Sequence, residues 1–476
     1  MSVAALPMVG EIATPLSPLE IYEALQGEPL SFFLDSGMSH QRLGRYSFVG
    51  ADPFLVFRSK GRQLEIEEGG EIRVMEGNPF DVLQQLLRRY QLPRLEGFPP
   101  FLGGAAGYFA YDLGEHLEVL PSRSRDDLGL PDCYLGFYDT VVAIDHQAGR
   151  TYLCSSGLPE TEARRAERRA AGRWEQVMER LEQRYRTVDN RAAVGPGSGM
   201  LPAGTVHSNF TREEYCQAVR RAKEYIAAGD IYQVNLSQRL WAETQLTPLE
   251  LYRRLRRINP APFAAFLDLE GVKVASASPE RFLKVTGRQV ETRPIKGTRP
   301  RGRDPESDRR LREELWNSEK DRAELVMIVD LERNDLGRVC EYGSVRVPEL
   351  FCLEEYATVF HLVSTVVGTL RPGLDVVDLL KASFPGGSIT GAPKIRAMEI
   401  IDELEGIKRG IYTGAIGYLS FSGDADLNIV IRTFVLVGNR AYFQVGGGIV
   451  ADSDPEAEYQ ETLDKARALI QALHAS

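Results

Sequence analysis

In the first half of the chain, short hydrophobic runs alternate with polar positions and break at glycine. They are Phe54-Leu55-Val56-Phe57, Leu64-Glu65-Ile66, Val141-Val142-Ala143-Ile144 and, after the turn at Gly149, Thr151-Tyr152-Leu153-Cys154. That pattern predicts antiparallel sheet. From about Glu160 to Arg186 it becomes charged and helical, and Thr187 to Thr205, which contains Gly195-Pro196-Gly197-Ser198-Gly199, predicts a linker. The chain thus divides into a region 1–190, a linker 191–205 and a region 206–476. A helix from Thr211 to Ala228 opens the second region, with Glu214 at the capping-box position. At the far end, Asp454 and Pro455 mark the start of a last helix whose apolar stripe is Leu463, Ala466, Ile470 and Leu473. No fixed-period repeat is present, which argues against a solenoid or propeller.

Composition narrows the function classes. With 476 residues, 43% hydrophobic and 26% charged, the chain is expected to fold as an ordinary globular protein with a sizeable core. A formal charge of −10 gives no global reason to bind nucleic acid or anionic lipid. No run approaches the roughly 18 apolar residues of a membrane span, and Met1 to Leu16 lacks the pattern of a signal peptide, so a cytoplasmic location is expected. Cys133, Cys154, Cys216, Cys340 and Cys352 are scattered and never form a C-x-x-C pair, which predicts reduced core thiols.

The candidate chemistry gathers in the second region. Lys296 lies in the predicted loop Arg293-Pro294-Ile295-Lys296-Gly297-Thr298-Arg299-Pro300-Arg301-Gly302, an amine among three arginines. Neighbouring cations lower an ammonium pKa, so Lys296 is either a nucleophile or part of a solvated basic loop. Asp321 and Glu324 precede the apolar run Leu325 to Val329, and Glu458 and Glu461 share the last helix; each pair has the spacing of helix neighbours. Two such pairs facing each other suit Mg2+, which prefers oxygen ligands, although Glu461 lies opposite the apolar stripe, where a carboxylate is ordinarily solvated. The segment Phe384 to Lys394, rich in glycine, feeds a helix N-terminus and offers backbone N–H groups to an anion, but Ala392-Pro393 stands where a P-loop needs Lys-Ser/Thr. Gly446-Gly447-Gly448 is either a ligand approach or a sheet bulge. Glu280 is a general acid if desolvated and an ion-pair partner of Arg281 if not. Arg432 is placed to clamp a carboxylate, and His361, within an apolar run, is either a core histidine or a catalyst.

Several longer segments occur in a fixed order: Phe33-Leu34-Asp35-Ser36, Gly44-Arg45-Tyr46-Ser47-Phe48, Gly103-Gly104-Ala105-Ala106-Gly107-Tyr108, Gly229-Asp230-Ile231-Tyr232-Gln233-Val234-Asn235, Asp330-Leu331-Glu332-Arg333-Asn334-Asp335, the Gly386 loop and Gly446 to Gly448. Together they resemble the chorismate-utilising enzymes through nearly the whole chain. The resemblance implies an α/β fold of the α+β type, two antiparallel sheets packed face to face with flanking helices, built from both halves of the sequence. It implies chorismate as substrate and Mg2+ as cofactor, held by Glu324 and Glu461 with Asp321 and Glu458 nearby. By the same similarity Tyr412, Arg432, Gly446, Gly447 and Gly448 contact the enolpyruvyl end, and Thr298, Thr390, Gly391 and His361 line the pocket. Glu280 and Lys296 are implied as acid and nucleophile.

Within the family, lysine in the Pro-Ile-x-Gly-Thr motif is similar to the aminodeoxychorismate synthases, whereas anthranilate synthases usually carry alanine there. That branch uses ammonia on the way to 4-aminobenzoate and folate. No cysteine here sits in a Gly-x-Cys-x-Gly loop, so a separate glutamine amidotransferase subunit is the expected ammonia source, with a distinct lyase completing 4-aminobenzoate. The resemblance also implies a tryptophan pocket near Ser36, Arg45, Pro262 and Phe263, although Asp35 replaces the usual glutamate. The rival readings are anthranilate synthase component I, isochorismate or salicylate synthase, a non-catalytic scaffold for the amidotransferase, and a phosphate-binding module. The joint presence of Glu280, Lys296, Glu324, Arg432 and Glu461 argues against a scaffold, and the missing P-loop lysine argues against a phosphate module.

Overall fold

The computed structural model describes residues 7–37, 43–191, 205–356 and 359–474. Residues 192–204, nearly all of the predicted linker, lie outside the described residues. The four alternating runs become the strands Leu55–Lys60, Gln63–Glu68, Thr140–Asp145 and Arg150–Ser155. The charged segment is the helix Ala163–Arg191, longer than its pattern suggested at the C-terminal end. Thr211 caps the helix Arg212–Ala227 in a full capping box with Glu214. Asp454 caps Pro455–His474 by accepting from the Glu456 and Ala457 amides.

The strands form two 12-stranded antiparallel sheets. Each is woven from both halves of the sequence. In the first, Ser31–Asp35 pairs with Phe263–Leu269, and in the second, Gly104–Phe109 pairs with Ala415–Ser420. The sheets face one another across a core that holds Phe48, Ala265 and Val274 from the first, Tyr108, Tyr134 and Tyr418 from the second, and Phe101 from the segment leading into the second. Phe48 meets Tyr418 edge-on with ring centroids 5.2 Å apart, an arrangement that aromatic quadrupoles favour. The outer faces are covered by helices. Pro18–Leu25, Ala163–Arg191, Pro248–Ile258 and Pro455–His474 pack on the first sheet, and Pro79–Arg89 and Val376–Ser383 on the second. This is the expected pair of face-to-face sheets with flanking helices.

Five cysteines are free, four of them buried. Among the described residues no helix is long and apolar enough to cross a membrane.

Candidate active site

Lys296 does not lie in a loop. Ile295–Pro300 is a strand on the long strand Val359–Thr369, and the register slips between Lys296, opposite Leu362, and Thr298, opposite His361. The slip is a bulge at Gly297, which adopts φ +78°; a Cβ there would sit 2.8 Å from the Asp321 carboxyl carbon. Prolines and glycines in the sequence suggested a loop, and the strand forms because Val359–Thr369 offers a paired edge. The arginines beside Lys296 are also not what tunes it. Arg293 pairs with Glu354, Arg299 with Glu314 and Asp321, and Arg301 with Asp308. Burial depresses the Lys296 ammonium pKa first, and Lys465 adds to that, against the opposing pull of Glu324, Glu280 and Glu461. Lys296 keeps some solvent contact at the cleft mouth while protein atoms crowd it from the other sides.

Glu280 is buried, and burial lifts its pKa to about 7 against the favourable influence of Ser388, Lys296 and the Ile295 backbone. Its Oε1 has no hydrogen-bond partner. The neighbouring Arg281 is committed to Asp426 and Glu291 at 2.9 and 2.7 Å, so the ion pair with Glu280 does not form. Glu280 stands just before the strand Arg281–Thr286, and the extended backbone there turns successive side chains to opposite sides.

The acidic pairs come from two helices. Glu319–Gly337 carries Glu324, mostly buried beside Lys320 at 3.9 Å, and its pKa is raised by burial. Pro455–His474 carries Glu458 and Glu461 against Gly447, where a Cβ would lie 3.2 Å from one carboxylate and 3.4 Å from the other. Glu458 is buried and accepts from Ser453 at 2.6 Å, whereas Glu461 is 49% exposed. Glu461 thus lies over Gly447 and stays open to solvent on its other side; burial raises its pKa, but Lys465 at 2.7 Å, with Lys320 and Lys296, brings it below the usual range. Asp321 is bound to Arg299 at 3.2 Å. Among the described residues no three His, Cys, Asp or Glu side chains converge as a ready-made metal cage. Glu324, Glu458 and Glu461 nonetheless supply only oxygen donors, and burial raises the pKa of the first two, as expected for carboxylates short of positive charge.

The remaining predicted residues close the cleft. Gly446, Gly447 and Gly448 are not a bulge; they pair in regular register with Ser237, Leu236 and Asn235. Arg432 adopts φ +54°, donates to the Lys465 carbonyl and has no ion-pair partner among the described residues; burial lowers its pKa. Burial also holds Tyr412 at about 12. His361 Nδ1 shares a hydrogen bond with Thr298 Oγ1 at 2.8 Å, and burial, with Arg432 nearby, lowers its pKa to about 3, so the imidazole is neutral. Thr390 is fully buried and its hydroxyl donates to the Gly386 carbonyl at 3.0 Å, while its carbonyl accepts from the Asn235 amide at 2.7 Å. Gly391 pairs with Val234. Lys394, the cation of the glycine-rich segment, is not an anion ligand: it pairs with Asp335 at 2.6 Å and donates to the Ser383 carbonyl.

Two residues escaped the sequence reading. Lys465 donates to the Gly446 carbonyl at 2.8 Å while pairing with Glu461, and its four-residue spacing from that glutamate reads in sequence only as a surface pair. Gln233 is fully buried next to Gly448 with its Oε1 unpartnered, and a glutamine among the apolar residues Ile231, Val234 and Leu236 was the available signal. The Ser36, Arg45, Pro262 and Phe263 set lines a separate cavity of about 310 Å³, together with Asp35, Tyr46, Phe48 and Arg281.

Comparison with known proteins gives the family. The chorismate binding enzyme family matches residues 13–471. The chain belongs to that family. Aminodeoxychorismate synthase component 1 of Escherichia coli (strain K12) is 43% identical over 453 residues, 95% of each chain. Anthranilate synthase component 1 of Acetivibrio thermocellus is 42% identical over 471 residues, 98% of this chain and 95% of that one. The crystal structure of anthranilate synthase component I from Streptococcus pneumoniae TIGR4 superposes with a TM-score of 0.75 at 33% identity, covering 95% of this chain and 97% of the other. This chorismate-binding enzyme is thus as similar to one named activity as to the other, and overall identity does not choose between them.

Proposed function

We propose that the chain is an aminodeoxychorismate synthase component I, converting chorismate and ammonia to 4-amino-4-deoxychorismate. The observation that carries this reading is Lys296: a half-buried amine with depressed pKa, facing Glu280, Glu324 and Glu461, at the position where the rival anthranilate synthases usually have alanine. Glu280, with a pKa near 7 and a free acceptor oxygen, is suited to be protonated at neutral pH and to give that proton to a leaving hydroxyl.

The steps balance as follows. Lys296 in its free-amine form attacks C2 of chorismate, the ring double bonds shift, and the C4 hydroxyl leaves as water with the proton from Glu280. Ammonia then attacks C4, the double bonds shift back, and the C2–nitrogen bond to Lys296 breaks. The surplus proton on the new amine returns to Glu280. Arg432, Tyr412 and the Gly446–Gly448 backbone hold the enolpyruvyl carboxylate, so both attacks proceed from an aligned ring. Glu324 and Glu461, with Glu458 beside them, would hold Mg2+, which when bound supplies positive charge for the ring carboxylate. Ammonia would come from a glutamine amidotransferase subunit. The product would feed 4-aminobenzoate and folate synthesis in the cytoplasm. By resemblance the Ser36–Arg45 cavity is assigned to tryptophan.

The test is product identification. Incubated with chorismate, Mg2+ and ammonium, the purified chain should yield an amino product that an added lyase converts to 4-aminobenzoate, and acid quench should trap a mass adduct on the Lys296 peptide. Mainly anthranilate would establish the rival reading, which the equal identity of its relatives supports. The correct product with no adduct, and a nearly active Lys296→Ala variant, would remove the covalent route alone.

A further inference from the structure

Arg409 lies beneath the cleft and belongs to none of the predicted site. Its side chain is 2% exposed, and all five of its N–H donors are used. Nε and Nη2 hold both oxygens of Glu405 at 2.9 and 2.7 Å. Nη1 donates to the Ile389 carbonyl at 3.0 Å and to Thr413 Oγ1 at 3.2 Å, and Nη2 also donates to the Asn235 carbonyl at 2.8 Å. The guanidinium lies 4.7 Å from the Tyr111 ring centroid and 5.8 Å from that of Tyr412.

Each of these partners leads to a segment that lines the cleft. Ile389 precedes Thr390 and Gly391. Thr413 follows Tyr412 in a left-handed conformation, φ +59°, that a β-branched residue adopts only under constraint. Asn235 binds the same loop twice, its amide to the Thr390 carbonyl at 2.7 Å and its side chain to the Ser388 carbonyl at 2.8 Å, and it pairs across the sheet with Gly448. Glu405 completes the circuit: its Oε1 accepts from the Ser237 amide and hydroxyl at 2.8 and 2.7 Å, and Ser237 pairs with Gly446. One planar cation therefore joins the strand around Asn235, distant in sequence, to the two nearer segments at Ile389 and Thr413, and through strand pairing reaches a fourth.

We infer that Arg409, oriented by Glu405, is the positioning residue of the enolpyruvyl end, fixing the Thr390–Gly391 loop, Tyr412 and the Gly446–Gly448 strand relative to one another. The inference rests on the reading of those segments as substrate contacts. A lysine cannot replace it, because three donors radiating from one point do not match five donors in a planar fork. The arrangement also explains why the pair is buried. Desolvating both charges is costly, and here the remaining lone pairs and protons are satisfied by backbone and hydroxyl groups.

The experiment uses the full chain and has two arms. In hydrogen exchange without ligand, Arg409→Lys should lose protection together at 387–392, 411–414 and 233–237, with the remote strand Leu55–Lys60 unchanged. In turnover, the same variant should raise KM for chorismate about tenfold or more, exceeding any fall in kcat. Arg409→Gly should regain turnover with millimolar guanidinium ion and not with tetramethylammonium at equal ionic strength. Arg409 lines a small cavity with Tyr111, Asp112, Met398 and Asp402, and removing its side chain enlarges that space toward the room the ion needs. Should Arg409→Lys fail to fold, Glu405→Gln is read in both assays. Exchange changes confined to one segment, or an unchanged KM, overturn the inference. Wild type that does not turn over chorismate at all defeats the proposed function instead, and the exchange arm then decides the positioning role alone.

Discussion

The Ser36–Arg45 cavity and the candidate catalytic site hold similar residue types in opposite states. In the Ser36–Arg45 cavity the buried charges are answered, and of its lining only Lys284 has no ion pair among the described residues: Asp35 accepts from Arg256 and from Tyr252 at 2.9 Å, Arg45 pairs with Asp145 at 2.7 Å, and Arg281 pairs with Asp426. In the catalytic cleft charges are left short: Glu280 has an empty acceptor, Arg432 lacks a carboxylate, and the Lys296 ammonium is destabilised. Glu280 and Arg281 are consecutive, so one peptide link separates an unsatisfied wall from a satisfied one. A saturated cavity is stable and receptive to shape. An unsaturated one stores electrostatic work that a substrate can release.

The contrast should break most sharply at Lys296. Lys296→Ala is expected to lose product formation by on the order of 10³-fold or more, measured by product chromatography, because the nucleophile itself is removed. Next comes Glu280→Gln, with a loss of about 10²- to 10³-fold. Glu280 acts while protonated and its pKa is about 7, so kcat/KM in wild type should fall tenfold per unit as pH rises above that value. Lys296 acts as free amine, so its depressed pKa extends activity toward lower pH. A pH–rate profile of the residual Glu280→Gln activity should lack the alkaline limb assigned to Glu280.

On the satisfied side the effects should appear in stability. Asp35→Ala strands Arg256 and the Tyr252 hydroxyl and should cost about 2–4 kcal/mol by denaturant unfolding, with kcat retained. Smallest of all, Arg45→Ala should change unfolding by about 1 kcal/mol or less, since its side chain is 49% exposed, and leave chorismate turnover within about twofold. A large kinetic loss from Arg45→Ala would show that the two cavities are energetically coupled.

How much of this was legible depended on whether the signal was local. Strand alternation, the Thr211 and Asp454 caps and the helical spacing of the acidic pairs are encoded within a few residues, and they were read correctly. The strand around Lys296 was not, because its partner Val359–Thr369 lies some sixty residues away and local prolines argued otherwise. The source of the Lys296 shift was misread for the same reason: adjacent arginines are visible in sequence, whereas their commitments to Glu354, Glu314 and Asp308 are tertiary. Lys465 and Arg409 both stand four residues after a glutamate and look alike in sequence. Only the fold puts one at the cleft and seals the other beneath it.

The weaving of each sheet from both ends of the chain has a consequence during synthesis. When the ribosome has made the first region, Ser31–Asp35 and Gly104–Phe109 still present open edges whose partners, Phe263–Leu269 and Ala415–Ser420, are not yet translated. Counted from its own translation, the first edge waits for more than two hundred residues and the second for more than three hundred. Such long-range pairing slows folding and leaves sheet edges exposed to other chains, so chaperone shelter should raise its yield, which should respond to translation speed more than its final stability suggests.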